Sequence, residues 1–266
     1  MSLFKNKKRA VIKVGTSTLT YETGLVNIRR MESLVKVLSD LANSGMQIIL
    51  VTSGAIGVGA GKLGLTERPN DTPGKQAAAA VGQSELMHLY DTQFAIYNHT
   101  AAQVLLTKDV VDEEYRRRNV TNTLSRLLEL RAIPIINEND TVATDELEGE
   151  NFGDNDTLSA IVAKLVEADA LIILSDIDGL YDGNPRTNRA AKLIPLVEKI
   201  DRHIEAIAGS SGSSRGTGGM ITKIQAARIA EAAGIDMAII NGEHPEALYD
   251  IFDGKEIGTY FSFGKR

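Results

Sequence analysis

Two lysines stand where a phosphate-binding site would need positive charge. Lys13 lies inside an apolar, strand-like run, Arg9–Val14, and Gly15 follows the run directly. Since lysine is rarely buried without a partner, Lys13 is either a snorkelling side chain on an edge strand or a cation aimed along a cleft at phosphate oxygens. Lys223 follows a glycine-rich stretch, 216–219, that opens a predicted helix. Free backbone N–H groups and the helix dipole favour an anion there, and the alternative is a flexible loop with a solvent-exposed lysine.

A run of three polar residues, Asp154, Asn155 and Asp156, opens another predicted helix directly after Gly153. One of them would suffice as an N-cap, so capping alone does not account for all three. Their oxygens suit the coordination of Mg²⁺ or the orientation of lysine ammonium groups. The sequence leaves both interpretations open.

Short apolar runs alternate with longer segments of helical periodicity. Because the strands are apolar almost throughout, both of their faces must be covered, which indicates a mostly parallel α/β sheet between helices. The spacing does not predict the strand order. The predicted strands cover 9–14, 47–52, 101–106, 133–137, 170–175 and 236–241, and the predicted helices cover 28–43, 73–97, 116–130, 155–167 and 219–233.

Small and acidic residues follow nearly every predicted strand. In an open parallel sheet, ligands bind beyond the carboxyl ends of the strands, so a site is expected at that edge. The residues concerned are Gly15 to Thr18, Ser53 to Ala55, Glu138 to Asp140, Asp176 to Gly179, and Gly242 with Glu243.

Composition narrows the class of protein. The chain has 266 residues, enough for one large α/β domain, and a formal charge of −6 with no tryptophan. This balance disfavours a nucleic-acid surface. The absence of cysteine excludes disulfides and thiolate metal sites and suits a cytoplasmic protein. Neither a signal peptide nor an apolar stretch of about 18 residues is present, so no membrane association is expected.

Several familiar motifs fit poorly. Gly59–Gly64 matches G-x-G-x-x-G but does not follow its strand directly, as a dinucleotide fingerprint must. A calcium loop beginning at Asp176 would require glutamate at its twelfth position, which is Thr187. No Walker A sequence is present. The glycine- and serine-rich stretch 209–219 is interpreted as a mobile loop at a site rather than an interdomain linker.

Six segments occur together in a fixed order: VIKVGTSTL, VTSGAIGVG, PIINENDTVA, FGDNDTLSA, LSDIDGLY and GTGGMITK. This series resembles the amino acid kinase family over essentially the whole chain, and closely its branch that phosphorylates glutamate. The resemblance implies a three-layer αβα sandwich with a mostly parallel central sheet, of the amino acid kinase or carbamate kinase type. It also implies transfer of a phosphoryl group from ATP to the side-chain carboxylate of L-glutamate, the first step of proline biosynthesis, with Mg²⁺ bound mainly through ATP rather than by the protein.

The resemblance assigns roles to individual residues. Lys13 and Lys223 would contact the transferring phosphate, and Asp156 would orient both lysines as the third catalytic residue. The substrate-binding residues would be Ser53, Gly54, Asp140 and Asn155. The nucleotide-binding residues would be Lys13, Ser175, Asp176, Thr217, Gly218, Gly219, Met220, Ile221, Thr222 and Lys223.

The resemblance also carries expectations about organisation and partners. Residues 1–266 are expected to form a single kinase domain, with the glutamate site mainly in the N-terminal part and the nucleotide site mainly in 170–266. The RNA-binding domain of PUA type that many members carry at their C-terminus is not expected. ATP and L-glutamate are the expected ligands, L-proline an expected feedback inhibitor, and a homo-oligomer the expected assembly. Alternatives are a kinase of the same fold with another acceptor, a catalytically silent amino acid sensor, and an RNA-binding module.

Overall fold

Strands and helices alternate along the chain in the computed structural model, which describes residues 3–21, 23–142, 154–185, 187–210 and 219–264. The elements are β1 (Arg9–Val14), α1 (Thr16–Leu19), α2 (Ile28–Asn43), β2 (Gln47–Val51), α3 (Ala55–Lys62), α4 (Thr72–Ile96), β3 (Ala101–Leu106), α5 (Lys108–Asp112), α6 (Glu114–Glu129), β4 (Ile133–Glu138), α7 (Asn155–Leu165), β5 (Ala170–Ser175), β6 (Leu196–Val197), α8 (Arg202–Ser210), α9 (Met220–Ala233), β7 (Asp236–Asn241), α10 (Ala247–Phe252) and β8 (Thr259–Phe261).

Within the described residues, eight strands form one sheet in the order β3-β4-β2-β1-β5-β7-β8-β6. The first six are parallel to one another, whereas β8 is antiparallel to β7 and pairs in parallel with β6. In the sheet, β2, β3 and β4 all lie on one side of β1, and the chain then crosses to the other side of β1 with β5. This reversal lies between β1 and β5, and a reversal of that kind is where open α/β sheets bind ligands.

Helices cover both faces of the sheet, as the apolar strands predict. Along β1, Val11 joins one buried cluster with side chains of α6, α7, α8 and α9, and its neighbour Ile12 joins a second cluster with side chains of α2, α4 and α10. Successive side chains of a strand point to opposite faces, so a strand buried on both faces must be apolar at every position. The predicted three-layer sandwich is confirmed.

Five helices that precede parallel strands end in the same way. In each, a residue one or two positions after the helix adopts a left-handed conformation, and backbone N–H groups return to carbonyls of the last turn, the pattern of a Schellman cap. Glycine supplies this residue twice, and a residue with a side chain supplies it three times. The five residues are Gly45, Asn98, Arg131, Glu167 and Gly234.

Helices α3 and α4 approach each other closely through glycine. A Cβ atom on Gly59 would lie 1.7 Å from the carbonyl oxygen of Ala78, and one on Gly82 would lie 1.8 Å from that of Ala55. The glycines of the G-x-G-x-x-G match therefore include one that serves helix packing. Ala78 and Gly82 of the small-residue segment 75–82 thus take part in this internal contact.

The six predicted strands and five predicted helices are all present, with ends shifted by at most three residues. The sequence did not predict α1, α3, α5, α8, α10, β6 and β8, all of them nine residues long or shorter. In the part of the chain that the structure describes, no helix combines the length and the apolarity needed to cross a membrane.

Candidate active site

Two buried lysines flank one buried carboxylate at the carboxyl edge of the sheet. Lys13 Nζ lies 2.6 Å from Asp156 Oδ1, and Lys223 Nζ lies 3.0 Å from Asp156 Oδ2. Lys13 is 5% exposed, Lys223 is 6% exposed and Asp156 is 0% exposed. The structure thus brings together the three residues for which catalytic roles are predicted.

Three separate elements carry these side chains. Lys13 is the penultimate residue of β1, which is hydrogen-bonded to β2 on one side and β5 on the other. Its strand is central, so the interpretation of Lys13 as a snorkelling residue on an edge strand is wrong. Asp156 lies in the first turn of α7 and Lys223 in the first turn of α9. Both helices begin at the carboxyl edge where β1 ends, and this brings the three side chains together.

The ion pairs keep the paired groups charged despite their burial. Burial alone would lower the pKa of Lys13, but Asp156, then Asp154 and Asp176, raise that pKa above its ordinary value. Burial alone would raise the pKa of Asp156, but the ammonium groups of Lys13 and Lys223 lower it to about 2. Asp156 is therefore ionised and Lys13 protonated at neutral pH.

Thr222 ties the first turn of α9 to the acidic residues of α7. Its Oγ1 lies 2.9 Å from Asp156 Oδ2, 2.8 Å from the carbonyl oxygen of Gly219 and 3.3 Å from Asp154 Oδ2. A hydroxyl group has one proton, so Thr222 donates to one of these acceptors at a time. The hydroxyl of this predicted nucleotide-binding residue is thus engaged with Asp156 and its neighbours.

Backbone groups near the lysines suit an anion. The N-cap residue of α7, Asp154, makes no side-chain capping hydrogen bond, and the N-cap residue of α9, Gly219, has no side chain to make one, so neither helix start is closed by its own N-cap side chain. Gly54 precedes α3 with a φ of 99°, and a Cβ there would lie 3.3 Å from Thr16 Cγ2. Glycine is favoured at that position both by conformation and by space.

The residues predicted to bind glutamate gather around the Asn155 side chain. Asn155 Nδ2 lies 2.9 Å from Ser53 Oγ, 2.9 Å from the carbonyl oxygen of Thr52 and 3.0 Å from Asn137 Oδ1. Asp140 lies in the turn that follows β4 and is partly exposed. Ser53, Gly54 and Asn155 are therefore neighbours, and Asp140 lies beyond the end of the strand that carries Asn137.

Sequence reasoning missed four buried polar residues behind this group. Asn137 Nδ2 donates to Gln83 Oε1 at 2.8 Å, and the hydroxyls of Thr52 and Tyr90 lie 2.9 Å apart. Burial alone raises the pKa of Tyr90 far above its ordinary range, although the bond to Thr52 opposes this. The signal in the sequence was a polar residue closing each apolar strand, Thr52 after β2 and Asn137 within β4. The polar positions on α4, Gln83 and Tyr90, gave no signal of their own.

The residues predicted to bind the nucleotide lie at the ends of β5 and α9. Ser175 is buried, Asp176 is exposed, and the Ser175 hydroxyl lies 3.4 Å from Asp176 Oδ1. The Met220 side chain packs in the core, whereas Ile221 is half-exposed. Two further predicted residues, Thr217 and Gly218, lie outside the described residues.

The protein itself offers a poor metal site. In the described ranges, no three histidine or acidic side chains are grouped as metal ligands would be. Both oxygens of Asp156 already face ammonium groups. Binding of Mg²⁺ through the phosphate oxygens of a nucleotide, as the resemblance implies, stays a prediction.

Comparison with known proteins agrees with this geometry. The model of the "Amino acid kinase family" matches residues 8–241. The chain is 57% identical to a glutamate 5-kinase of Clostridium perfringens over 97% of its own length and 96% of the relative. It is 55% identical to a glutamate 5-kinase of Listeria monocytogenes over 98% and 95% of the two chains.

Solved structures share the fold at low identity. The crystal structure of an isopentenyl phosphate kinase of T. acidophilum, a product complex, superposes with a TM-score of 0.63 at 18% identity, over 96% of this chain and 100% of that one. A UMP kinase of Bacillus anthracis superposes with a TM-score of 0.65 at 18% identity, over 97% of both chains. At this level of identity the likeness concerns the fold. The sheet order, the paired lysines and the family match over most of the chain lead to one conclusion: this protein belongs to the amino acid kinase family.

Proposed function

We propose that this protein transfers the γ-phosphoryl group of ATP to the side-chain carboxylate of L-glutamate, giving L-glutamyl 5-phosphate and ADP in the first step of proline biosynthesis. The observation that carries the proposal is the buried cluster of Lys13, Asp156 and Lys223 at the carboxyl edge of the sheet. The high identity to curated glutamate 5-kinases over nearly the whole chain supports the choice of acceptor.

The reaction needs charge neutralisation and positioning more than proton transfer. A glutamate carboxylate is already a nucleophile, and one of its oxygens forms the new bond to phosphorus. The bond from phosphorus to the leaving oxygen breaks, and its electron pair stays on ADP. None of the six segments that carry the predicted site residues contains a histidine, in keeping with a step that needs no base. Catalysis then consists of bringing two anions together in line and stabilising the charge between them.

Lys13 and Lys223 are suited to this charge neutralisation. They come from opposite ends of the chain and stand on two sides of Asp156, which holds both ammonium groups at fixed positions before substrates arrive. Preorganised cations in a water-poor site stabilise developing negative charge more strongly than solvent does. We assign them the contact with the transferring phosphoryl group and assign Asp156 their orientation.

The two substrates fall on two sides of this cluster. We place glutamate near Ser53, Gly54, Asp140 and Asn155, on the β2 and β4 side of β1. We place the nucleotide near Ser175, Asp176 and the start of α9, on the β5 side, with the assigned stretch running from Thr217 to Lys223. Mg²⁺ would accompany ATP and supply further neutralisation of its phosphates.

A phosphorylated acceptor suits the site less well. Glu138 at the end of β4 and Asp140 in the turn after it lie at the predicted acceptor site. Carboxylates there would repel the phosphate of a nucleoside monophosphate, and they would attract the ammonium group of an amino acid. This supports glutamate over the acceptor that the name of the UMP kinase structure indicates for that protein.

Three further properties belong to the same proposal. We infer a cytoplasmic location, assembly into a homo-oligomer and feedback inhibition by L-proline. The exposed apolar side chains Tyr21, Leu25, Leu63 and Leu65 are compatible with assembly but do not define an interface. Sedimentation of the purified protein and a titration of its activity with proline measure two of these properties directly.

Acyl phosphate formation tests the function. Purified protein, ATP and Mg²⁺ are mixed with hydroxylamine and, in separate tubes, glutamate, N-acetylglutamate, aspartate or UMP. Formation of both hydroxamate and ADP with glutamate alone is expected. Formation of hydroxamate with another acid would mean that this acid, and not glutamate, is the substrate. Formation of ADP with UMP but without hydroxamate would mean that the protein phosphorylates a nucleotide. Glutamate binding without turnover in any tube would favour a sensor.

A further inference from the structure

A buried line of amide side chains runs from helix α4 to the predicted substrate residues. Asn137 Nδ2 donates to Gln83 Oε1 at 2.8 Å, and Asn155 Nδ2 donates to Asn137 Oδ1 at 3.0 Å. Asn155 Nδ2 also lies 2.9 Å from Ser53 Oγ. Gln83 is 7% exposed and Asn137 is 1% exposed, so neither exchanges these bonds freely with solvent.

Two backbone groups fix the direction of every amide in this line. The carbonyl oxygen of Thr52 can only accept a hydrogen bond, so the Asn155 atom 2.9 Å from it must be nitrogen. The backbone N–H of Glu138 can only donate, so the Asn137 atom 3.0 Å from it must be oxygen. Asn137 therefore presents its nitrogen to Gln83, and Gln83 must present oxygen in return. The assignment rests on backbone chemistry rather than on the choice of side-chain orientation.

The fixed direction leaves a defined polarity at the substrate end. Among the described residues, Asn155 Oδ1 is buried and has no hydrogen-bond donor. Asn155 Nδ2 carries two protons for three acceptors, and toward each of them, including Ser53 Oγ, it can only donate, so the serine proton remains available to another acceptor. Asn155 thus offers an acceptor to a bound molecule, and Ser53 offers a donor. An ammonium group and a carboxylate, the two groups on the α-carbon of an amino acid, match this pair.

Gln83 stands at the far end of the line, on α4, where it cannot touch the reacting atoms through this contact. Its oxygen is the one acceptor recorded for Asn137 Nδ2 among the described residues. Removing that oxygen would leave a buried donor without a partner, an arrangement that costs free energy. Asn137 would then shift to satisfy its nitrogen, and its oxygen would move away from Asn155.

We propose that Gln83 is a positioning residue for the amino acid substrate: by accepting a hydrogen bond from Asn137, it holds the Asn155 amide with its oxygen ready for a substrate donor. The inference rests on the proposed glutamate kinase activity and adds a residue outside the substrate contacts to it. Its effect falls on the affinity for the amino acid, because the hydrogen bonds of the line end at Asn155 and Ser53, whereas the two lysines pair with Asp156.

Three variants separate this role from a packing role. Gln83→Met removes the acceptor at similar length. Gln83→Glu keeps an oxygen where Asn137 needs one. Burial favours the neutral form of its carboxyl group, whose second oxygen takes the place of Gln83 Nε2, an atom without a partner among the described residues. Leu86→Val makes a small cavity one turn along the same helix, at a fully buried residue whose side chain has no polar atom to join the line. The measurements are kcat, KM for glutamate, KM for ATP and the melting temperature of each protein.

Gln83→Met is expected to raise KM for glutamate about tenfold, the equivalent of about 1.4 kcal/mol, with kcat and KM for ATP within about threefold of wild type. Gln83→Glu is expected to stay within about threefold for all three constants. Leu86→Val should lower the melting temperature and leave the constants unchanged. Equal rises in KM for Met and Glu, an unchanged KM in Gln83→Met, or a matching rise in Leu86→Val would each overturn the proposal.

Two provisions keep the test decisive. If Gln83→Met does not fold, Gln83→Asn withdraws the amide by one methylene and answers the same question with the same expected rise. If wild type forms no ADP in response to glutamate, the proposed function fails. If wild type is active but the Gln83 variants follow an overturning pattern, only the positioning role of Gln83 fails.

Discussion

Lys13 Nζ and Asp156 Oδ1 lie 2.6 Å apart, with both side chains almost wholly buried. The contact joins the central strand β1 to the first turn of α7, and the same carboxylate reaches Lys223 on α9. When one partner of a buried ion pair is removed, the charge of the other partner is left buried and uncompensated. The cluster therefore links the chemistry of the site to the stability of the sheet edge.

Lys13→Ala and Lys223→Ala should each lower kcat by about 10²–10³, because a preorganised donor to the developing charge is lost. Each should also lower the free energy of unfolding, since Asp156 keeps one ammonium partner instead of two. Steady-state kinetics and denaturant unfolding measure the two effects. Lys164→Ala, at an exposed position of α7, is the matched control and should change neither. A kcat near that of wild type in Lys13→Ala would rule out its catalytic role.

The stability of the protein should depend on the ionisation of Asp156 at acid pH. Because the pKa of Asp156 in the folded protein is about 2, below its ordinary value near 4, the ionised group stabilises the fold above about pH 4. This contribution is lost as the pH falls from about 4 toward 2. Asp156→Asn should be less stable at pH 7 and should show a shallower loss of stability over that window. Urea unfolding at a series of pH values measures the slopes, and parallel slopes for the two proteins would contradict the assignment.

Asp140→Ala should raise KM for glutamate by about tenfold or more while KM for ATP stays near wild type, because the carboxylate is assigned to the substrate ammonium group. The same variant should lose much of the preference for glutamate over N-acetylglutamate, whose nitrogen carries no charge. Asp91→Ala, an exposed position on α4, serves as the control. An unchanged KM for glutamate in Asp140→Ala would remove this residue from the substrate site.

Gly59→Ala should destabilise the protein by about 1–3 kcal/mol or more, because the new methyl group would meet the backbone of Ala78. Gly209→Ala is the matched control, since Gly209 is also helical and a Cβ there meets nothing within 4 Å. That change should leave stability unchanged or raise it by up to about 1 kcal/mol. Thermal unfolding compares the two. Equal effects would mean that helices α3 and α4 can separate without cost.

Glu167→Gly should stabilise the protein by about 0.5–1 kcal/mol, because residue 167 follows α7 with a φ of 50°, a conformation that costs a residue with a Cβ atom free energy. Lys164→Gly, within α7, should instead destabilise by about 1 kcal/mol. A gain in stability in Glu167→Gly together with a loss in Lys164→Gly would show that the left-handed conformation at residue 167 favours glycine. A loss of stability in Glu167→Gly would show that the glutamate side chain contributes more than the strain costs.

Much of the fold could be predicted from local sequence. The run Arg9–Val14 and the helical period of Ile28–Asn43 gave the bounds of β1 and α2 as the structure has them. Unbroken apolar strands required helices on both faces, and this held for β1, β2, β4, β5 and β7, whereas the edge strand β3 is only partly buried. Short elements such as β8, which pairs antiparallel to β7, escaped prediction because three residues carry no period of their own.

Of the candidate site, too, only a part could be predicted from local sequence. Lys13, Lys223 and the run from Asp154 to Asp156 could be selected from residue type and position, since charge beside glycine at the ends of strands and helices is a local property. The line from Gln83 through Asn137 to Asn155 could not, because a glutamine within an alanine-rich helix has no local mark of function. Thr217 and Gly218 stay predictions from sequence.

The sequence by itself determined the alternation of strands and helices, the need for a covered parallel sheet and the residue types that could bind phosphate. Tertiary structure alone decided the strand order that makes β1 central and the meeting of Lys13 and Lys223 on one carboxylate. It also decided the direction of the amides behind Asn155. The physical reason is that strand and helix propensities act between neighbours in the chain, whereas a buried ion pair or an oriented amide depends on groups that only packing brings within hydrogen-bond distance.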